Sequence, residues 1–438
     1  MRSTGAAATV TRLAQRVVAP SAPTPRGQLP LSWLDRYPTQ RALIESLHVF
    51  KGRADAEAPA RAIERALAGA LVSYYPIAGR LAVSADEGQL VVDCTGEGVW
   101  FIEASASCTL EDVDYLEYPL MVPKDELLPH PTYPPESDPL PEDSLILLVQ
   151  VTQFACGGFV VGFRFSHAVA DGPGAAQFMT AVGDMARGHA APLVAPAWGR
   201  EAIPNPPGAA VGALPVPTEL RLQYLAMDIS TDYIEHFKSR FLEQTGGQQR
   251  CSAFEVLIAK AWQSRTRAAR FEPGSPVHVC FAMNARPALA RLGDGKPPAP
   301  LPGGFYGNCY YIMRVSAAAE AVADASVYDV VRLIREGKKR LPAEFARWSA
   351  GDTGGVDPYR ITSDYRTLLV SDWSRLGFAE VDYGWGCPVH VVPLTNLDYI
   401  ATCILVRPSA HKPGARLITQ CVAADAVDAF HRDMMRLD

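Results

Sequence analysis

Residues 188–218 read GHAAPLVAPAWGREAIPNPPGAAVGALPVPT, with proline or glycine recurring throughout. Proline fixes φ and withholds an N–H, and glycine adds backbone entropy to be lost, so the stretch holds neither a long helix nor a central strand. It lies near the middle of 438 residues. A chain of that length forms about two to three domains at ~150 residues each. A break there gives an N-terminal domain at 1–187, a crossover at 188–218 and a C-terminal domain at 219–438.

Both flanks mix strand and helix patterns. In 59–74, Ala62, Ile63, Ala66, Leu67, Ala70 and Leu71 recur at three- and four-residue steps, with Pro59 near the start and Pro76 past the end, which predicts a helix. Further helices are expected at 173–187, 252–270, 326–341 and 424–435. The helix at 252–270 opens with Ser252 and Glu255 spaced as a capping box. Strands are expected at 90–94, 98–103, 145–152, 158–166, 277–283, 309–315, 366–371, 389–393, 400–406 and 415–421. The first 34 residues hold four arginines and no acid, a faint likeness to a transit peptide. Val10, Leu13, Val17 and Val18 suit a packed segment better, so a first strand is expected at Ala8 to Ala19. Residues 119–144 are proline-rich and read as a surface loop without a regular helix. Strands and helices do not alternate strictly, which favours α/β with mixed sheets over a doubly wound parallel fold.

Charge excludes some partners. Forty-one basic against 47 acidic residues give −6, which argues against nucleic acid or an anionic membrane as the main partner. The apolar runs, Leu145 to Val149 among them, fall far short of the ~20 residues that span a bilayer, so no membrane insertion is expected. The nine cysteines include no CxxC pair. They read as buried, reduced thiols of a cytoplasmic protein, and neither CxxC nor HExxH is present to suggest zinc.

The sharpest local feature is FVVGFRFSHAVADG, residues 159–172. An apolar strand runs into Ser166-His167, and a breaker cluster, Asp171-Gly172-Pro173-Gly174, precedes a helix. A strand end that delivers histidine into a tight turn suits a general base, because its pKa lies near working pH. On these residues alone, a structural histidine is the favoured reading, because HxxxD occurs by chance in many chains. The second feature is Asp382-Tyr383-Gly384-Trp385-Gly386, two glycines around a tryptophan in a tightly packed loop. Asp382 reads there as an anchor.

Together the two features resemble the BAHD acyl-CoA-dependent acyltransferases of plants. Tyr75-Pro76-Ile77-Ala78-Gly79-Arg80-Leu81, the helix from Ser252 to Ala268, and Gly303 to Cys309 (GGFYGNC) are similar to further segments of that family, in the same order over essentially the whole chain. The resemblance implies two chloramphenicol-acetyltransferase-like domains joined by the crossover, with a solvent channel between them and His167 near its middle. His167 would deprotonate the acceptor, and no covalent acyl-enzyme is needed. Asp171 would pair with an arginine, with Arg286 as the candidate. Asp382, Gly384, Trp385 and Gly386 form the second family motif, structural in role, with Tyr383 replacing the common phenylalanine. Trp373 and Ser371 would line the pocket, the Trp373 indole as an oxyanion donor, although Asp372 stands where serine is usual. The candidates for holding CoA are Ser252, Asn308, Lys338, Lys339 and Arg340. No bound cofactor or metal is implied, because acyl-CoA is a co-substrate.

The segments are most similar to those of grass hydroxycinnamoyl transferases acting on monolignols. The expected reaction is p-coumaroyl transfer from CoA to a monolignol-type alcohol, by a monomer. Feruloyl-, benzoyl- or acetyl-CoA, and shikimate, quinate or amine acceptors, remain open because motifs do not show pocket shape. A non-catalytic ligand-binding relative is the reading from a different class, and the intact His167 and Asp171 argue against it.

Overall fold

The computed structural model describes residues 8–437 except 54–56, 134, 137, 207–214, 217–220, 293–300, 353, 355, 356 and 395–398. The strands are β1 (Val10–Val18), β2 (Gln28–Pro30), β3 (Leu43–Phe50), β4 (Arg80–Val83), β5 (Leu90–Asp93), β6 (Val99–Ala106), β7 (Leu147–Gln153), β8 (Phe159–Ser166), β9 (Leu222–Ile229), β10 (Pro276–Asn284), β11 (Tyr310–Ala318), β12 (Thr367–Asp372), β13 (His390–Pro393), β14 (Ala401–Val406) and β15 (Ala415–Ala423). The helices are α1 (Pro59–Ser73), α2 (Lys124–Leu127), α3 (Gly172–Ala186), α4 (Thr231–Gln244), α5 (Ala253–Ala269), α6 (Arg286–Leu289), α7 (Ala319–Ala323), α8 (Val327–Ser349) and α9 (Val427–Met434).

The chain divides into two compact units. Unit 1 is Met1–Pro204 with Pro298–Asn308 and Arg375–Thr395, and unit 2 is Asn205–Pro297, Cys309–Ser374 and Asn396–Asp438. Unit 1 holds a six-stranded sheet in the order β1-β6-β7-β8-β3-β13, parallel at β6–β7 and antiparallel elsewhere, and the small antiparallel sheet β2-β5-β4. Unit 2 holds the order β11-β10-β12-β14-β15-β9, parallel at β10–β12 and β12–β14. This is the mixed-sheet α/β architecture expected from the sequence.

Period-two alternation divides the central strands of unit 1 between two faces. Leu47, Val49 and Val160 join Leu116, Val122, Leu127 and Val392 in one buried cluster. Phe163 and Phe165 point the other way, where Phe165 meets Phe178 of α3 at 6.3 Å between ring centroids. Helix α1 packs on α3 and touches β1 and β7.

Three features differ from the sequence reading. The D-Y-G-W-G loop, assigned there to the C-terminal domain, belongs to unit 1, because β13 adds to the edge of β3 with His390 opposite Val49. Helix α8 runs past Pro342 to Ser349, held by the buried Leu341, Phe345 and Trp348. One turn of helix, α2, interrupts the loop read at 119–144. The expected crossover falls outside the described residues at 207–214, 217 and 218. Its first part carries a single turn at Arg200–Ala202 and a bridge from Ala197 to Phe305. All nine cysteines are free; six are buried, but Cys156 and Cys387 are exposed, contrary to a uniformly buried set. No described helix is long and apolar enough to cross a membrane.

Candidate active site

Strand β8 is buried along its whole length, and both its neighbours, β7 and β3, pair with it antiparallel. Its end is therefore fixed, and His167 is the first residue beyond it. The His167 N–H donates to the Ala42 carbonyl at 3.1 Å. Its own carbonyl accepts from the Asn308 amide at 2.7 Å. The turn closes with Val169 N–H on the Ser166 carbonyl at 3.1 Å. Asp171 then caps α3, its carboxylate accepting from Gly174 N–H at 3.0 Å, with Pro173 in the first turn. Gly174 is required for contact: a Cβ there would lie 1.9 Å from the Tyr306 carbonyl oxygen.

His167 keeps partial solvent exposure, yet the surrounding protein is dense enough that burial dominates its titration. Burial pushes the imidazole below its ordinary value, against the opposing pull of its own carbonyl, Asp171, Asn308 and Asp35. The ring is held neutral, the form that accepts a proton.

Behind the turn lies a polar cluster that the sequence reading did not single out. Asp35 is fully buried, and its carboxylate accepts from Asn308 Nδ2 at 2.7 Å and from Ser32 N–H at 2.9 Å. It also pairs with Arg200 Nε at 3.0 Å. Arg200 is itself 3% exposed, lies 3.9 Å from the Trp198 ring centroid, and donates to the Val169 carbonyl at 2.5 Å. The legible signal was Ser32-Trp33-Leu34-Asp35, whose ends bond reciprocally as a turn, Asp35 N–H reaching Ser32 Oγ at 3.1 Å. Arg200 was concealed inside the proline-rich stretch read as crossover.

Asn308 therefore differs from its expected place among the CoA contacts. Its amide is fully buried and committed to Asp35 and His167, so it faces no phosphate. The D-Y-G-W-G loop is a packed turn. Asp382 accepts from Gly384 N–H at 2.7 Å and Gly386 N–H at 2.9 Å, and both glycines have positive φ, 101° and 84°. Tyr383 packs on Phe50, and Trp385 sits edge-on to Phe159, each at 5.3 Å. These contacts lie at the Phe50–Phe159 end of the β3–β8 pair, opposite the end that His167 follows.

The remaining candidates lie in unit 2. The capping box at α5 is present, Ser252 and Glu255 bonding reciprocally at 2.8 and 3.2 Å. Glu255 also takes Lys338 Nζ at 2.7 Å. Burial pushes the Glu255 carboxyl up, but the bonds from Lys338 and Ser252 and the charges of Lys338 and Arg335 outweigh it and hold it below the usual carboxylate range. Ser252 and Lys338 are thus brought together, but on a carboxylate. Lys339 pairs with Glu336 and Arg340 with Glu344 on the exposed face of α8. Arg286 donates to Asn284 Oδ1 and the Cys309 carbonyl, each at 3.4 Å. Ser371, the last but one residue of β12, lies opposite Ile404. Asp372, where serine was expected, turns back on Ser374, accepting from its N–H at 2.9 Å and its hydroxyl at 2.6 Å. Trp373 packs on Ile404, Val406 and Ile418.

A family model described as the transferase family matches residues 8–437. The chain belongs to that family, the BAHD acyl-CoA-dependent acyltransferases. Among its relatives, rice (Oryza sativa subsp. japonica) acyl transferase 7 is 69% identical over 98% of each chain. A Crocosmia x crocosmiiflora protein named myricetin 3-O-glucosyl 1,2-rhamnoside 6'-O-caffeoyltransferase AT1 is 41% identical over 97% of this chain and 98% of its own. The crystal structure of vinorine synthase shares the fold, with a TM-score of 0.72 at 21% identity over 96% of each chain. This BAHD chain is thus an acyl-CoA-dependent acyltransferase.

Proposed function

We propose that this BAHD enzyme moves a hydroxycinnamoyl group, p-coumaroyl first among them, from CoA to the hydroxyl of a monolignol-type alcohol, with His167 as the general base. The observation that carries the mechanism is the placement of His167. It stands at a rigid strand end, is fixed through both its N–H and its carbonyl, keeps partial exposure, and is held neutral by burial. The imidazole takes the hydroxyl proton as the acceptor oxygen attacks the thioester carbonyl. The tetrahedral intermediate collapses, the C–S bond breaks, and the CoA thiolate takes the proton back from the imidazolium. Charge on the intermediate's oxygen requires a donor, a role we give to the Trp373 indole. Asp171 shapes the turn through its cap on α3.

The hydroxycinnamoyl donor draws support from the Crocosmia relative, whose name specifies caffeoyl transfer to oxygen. That name specifies a flavonol glycoside as acceptor, so a sugar hydroxyl is the competing acceptor. The reading includes a cytoplasmic monomer, which gel filtration and localisation of a tagged chain will check.

The test is a thiol-release assay crossing p-coumaroyl-, feruloyl-, benzoyl- and acetyl-CoA with coniferyl alcohol, a flavonol glycoside, shikimate, quinate and spermidine. Highest turnover with p-coumaroyl-CoA and coniferyl alcohol is expected, and His167→Ala should abolish it. Preference for the glycoside would replace the acceptor, and near-normal rates in His167→Ala would remove the base.

A further inference from the structure

The turn after β8 is gripped from one side by two side chains that share one carboxylate. Asn308 Nδ2 donates to the His167 carbonyl at 2.7 Å, and Arg200 Nη2 donates to the Val169 carbonyl at 2.5 Å. Asp35 accepts a hydrogen bond from Asn308 Nδ2 at 2.7 Å and forms an ion pair with Arg200, its carboxylate 3.0 Å from Nε. All three side chains are buried, at 0% for Asp35 and Asn308 and 3% for Arg200.

Burial of this kind calls for an explanation. A buried ion pair loses hydration that its mutual attraction need not restore, so apolar residues of similar volume serve stability at least as well. What a charged cluster supplies beyond apolar packing is direction. Two donors oriented by one carboxylate define where two carbonyls must lie. The carbonyls they define are those of His167 and of the residue two beyond it. Arg200 is fixed further by its Nη1 bond to the Trp198 carbonyl at 2.9 Å and by the faces of Trp198, Phe305 and Tyr306. Asp35 is fixed by Ser32.

We propose that Asp35, Arg200 and Asn308 are positioning residues for His167, a buried clamp in which the Asp35 carboxylate aims the Asn308 amide and the Arg200 guanidinium at the carbonyls of the His167–Val169 turn and so holds the imidazole in its base-competent orientation. The inference rests on His167 being the base. The clamp acts on the backbone of the base, not on substrate, so its loss registers in the chemical step. A displacement of about 1 Å in a reacting group costs on the order of 10²-fold in rate.

The experiment compares wild type, Asn308→Ala, Asp35→Asn and His167→Ala, using the donor and acceptor of highest turnover in the thiol-release panel. Thermal melting and circular dichroism establish folding in each. For Asn308→Ala, kcat should fall about 10²-fold with the KM for acyl-CoA within about threefold of wild type. The acid limb of kcat/KM should also move to lower pH, because Asn308 supports the protonated ring. A purely structural residue would lower the melting temperature without moving that limb. Asp35→Asn keeps the shape of the cluster and should lose kcat similarly, which carries the test if Asn308→Ala does not fold. If His167→Ala is inactive while folded Asn308→Ala or Asp35→Asn holds kcat within twofold, the clamp is refuted and the base stands. A loss confined to KM, with kcat and the acid limb unmoved, refutes it equally. Retained activity in His167→Ala removes the base itself, and the two failures are thereby distinct.

Discussion

His48 offers a measurable consequence of how deeply β3 is buried. It is 0% exposed, lies edge-on to Phe163 and Phe378 at 5.2 and 5.4 Å, and its Nε2 meets Ser46 Oγ at 3.2 Å. Its Nδ1 has no hydrogen-bond partner among the described residues. Burial pushes the imidazole from an ordinary 6.5 down to about 3. Above pH 6.5 both folded and unfolded chains carry it neutral, and it contributes nothing to pH dependence. Below pH 6.5 the unfolded chain gains a proton that the folded chain refuses until about pH 3, so stability falls with acid across that window. Between pH 7 and pH 5 the loss from this residue is about 2 kcal/mol. His48→Gln removes the titration, whatever its effect at neutral pH. The assay is urea unfolding of wild type and variant at pH 7 and pH 5, each compared with itself so that the other groups cancel. Wild type should lose about 2 kcal/mol more than the variant over this interval, or about 4–8 °C in melting temperature for a unit of this size. Equal losses in the two proteins would show that His48 is solvated or protonated in the fold, and the burial argument would fail.

The depressed imidazole of His167 predicts that kcat/KM rises through an apparent pKa below 6.5, measured by thiol release across pH 5–8; a limb centred above 7 would contradict it. Asp171→Ala should cost about 1 kcal/mol of stability through the lost helix cap, whereas Asp171→Asn, which keeps the acceptor, should melt near wild type. Gly174→Ala drives a methyl to 1.9 Å from the Tyr306 carbonyl oxygen. Backbone must move, so a loss of about 1–3 kcal/mol or more is expected by urea unfolding, with a drop in kcat because Asn308 follows two residues on. The described residues include no group of three or more side chains able to hold a metal ion, and a chelator should leave turnover unchanged.

The parts of the fold that were legible are those whose determinants are local. The Ser252 and Glu255 capping box, the α1 periodicity and the apolar run of β8 each declare themselves within a few residues, and the structure shows all three. Strand β3 gave no signal because both its faces are covered from Leu47 to Phe50, so period-two alternation is absent. Helix α4 carries a local signal too, with the buried Tyr233, Phe237 and Phe241 at four-residue steps. The swap of 375–395 into unit 1 depends on the pairing of β13 with β3, a contact across more than 300 residues that no local pattern encodes. His167 and Asp171 were visible as a strand end and a helix cap. Asp35, Arg200 and Asn308 come from three distant segments, and only their convergence gives them meaning.

The same convergence revises how a chain of net charge −6 receives a polyanion. Sequence alone offered the free N–H groups at the Ser252 helix start and the run Lys338, Lys339 and Arg340. The structure closes the first of these: Glu255 occupies the Ser252 N–H and takes Lys338 as well, a circuit with 9% exposure at its carboxylate. Opening it would leave a carboxylate half-stripped of partners, a costly exchange for a phosphate carrying the same sign. Lys339 and Arg340 differ. Their carboxylate partners, Glu336 and Glu344, sit on their own helix at i,i+3 and i,i+4, and the two cations are 59% and 47% exposed. Exposed pairs of this kind contribute little and are screened by salt, so a phosphate displaces their carboxylates at small cost. If CoA is held on this face of α8, the KM for acyl-CoA should rise in Lys339→Met and with added salt, while Lys338→Met should first destabilise the fold. The opposite ranking would return the CoA phosphates to the Ser252 corner.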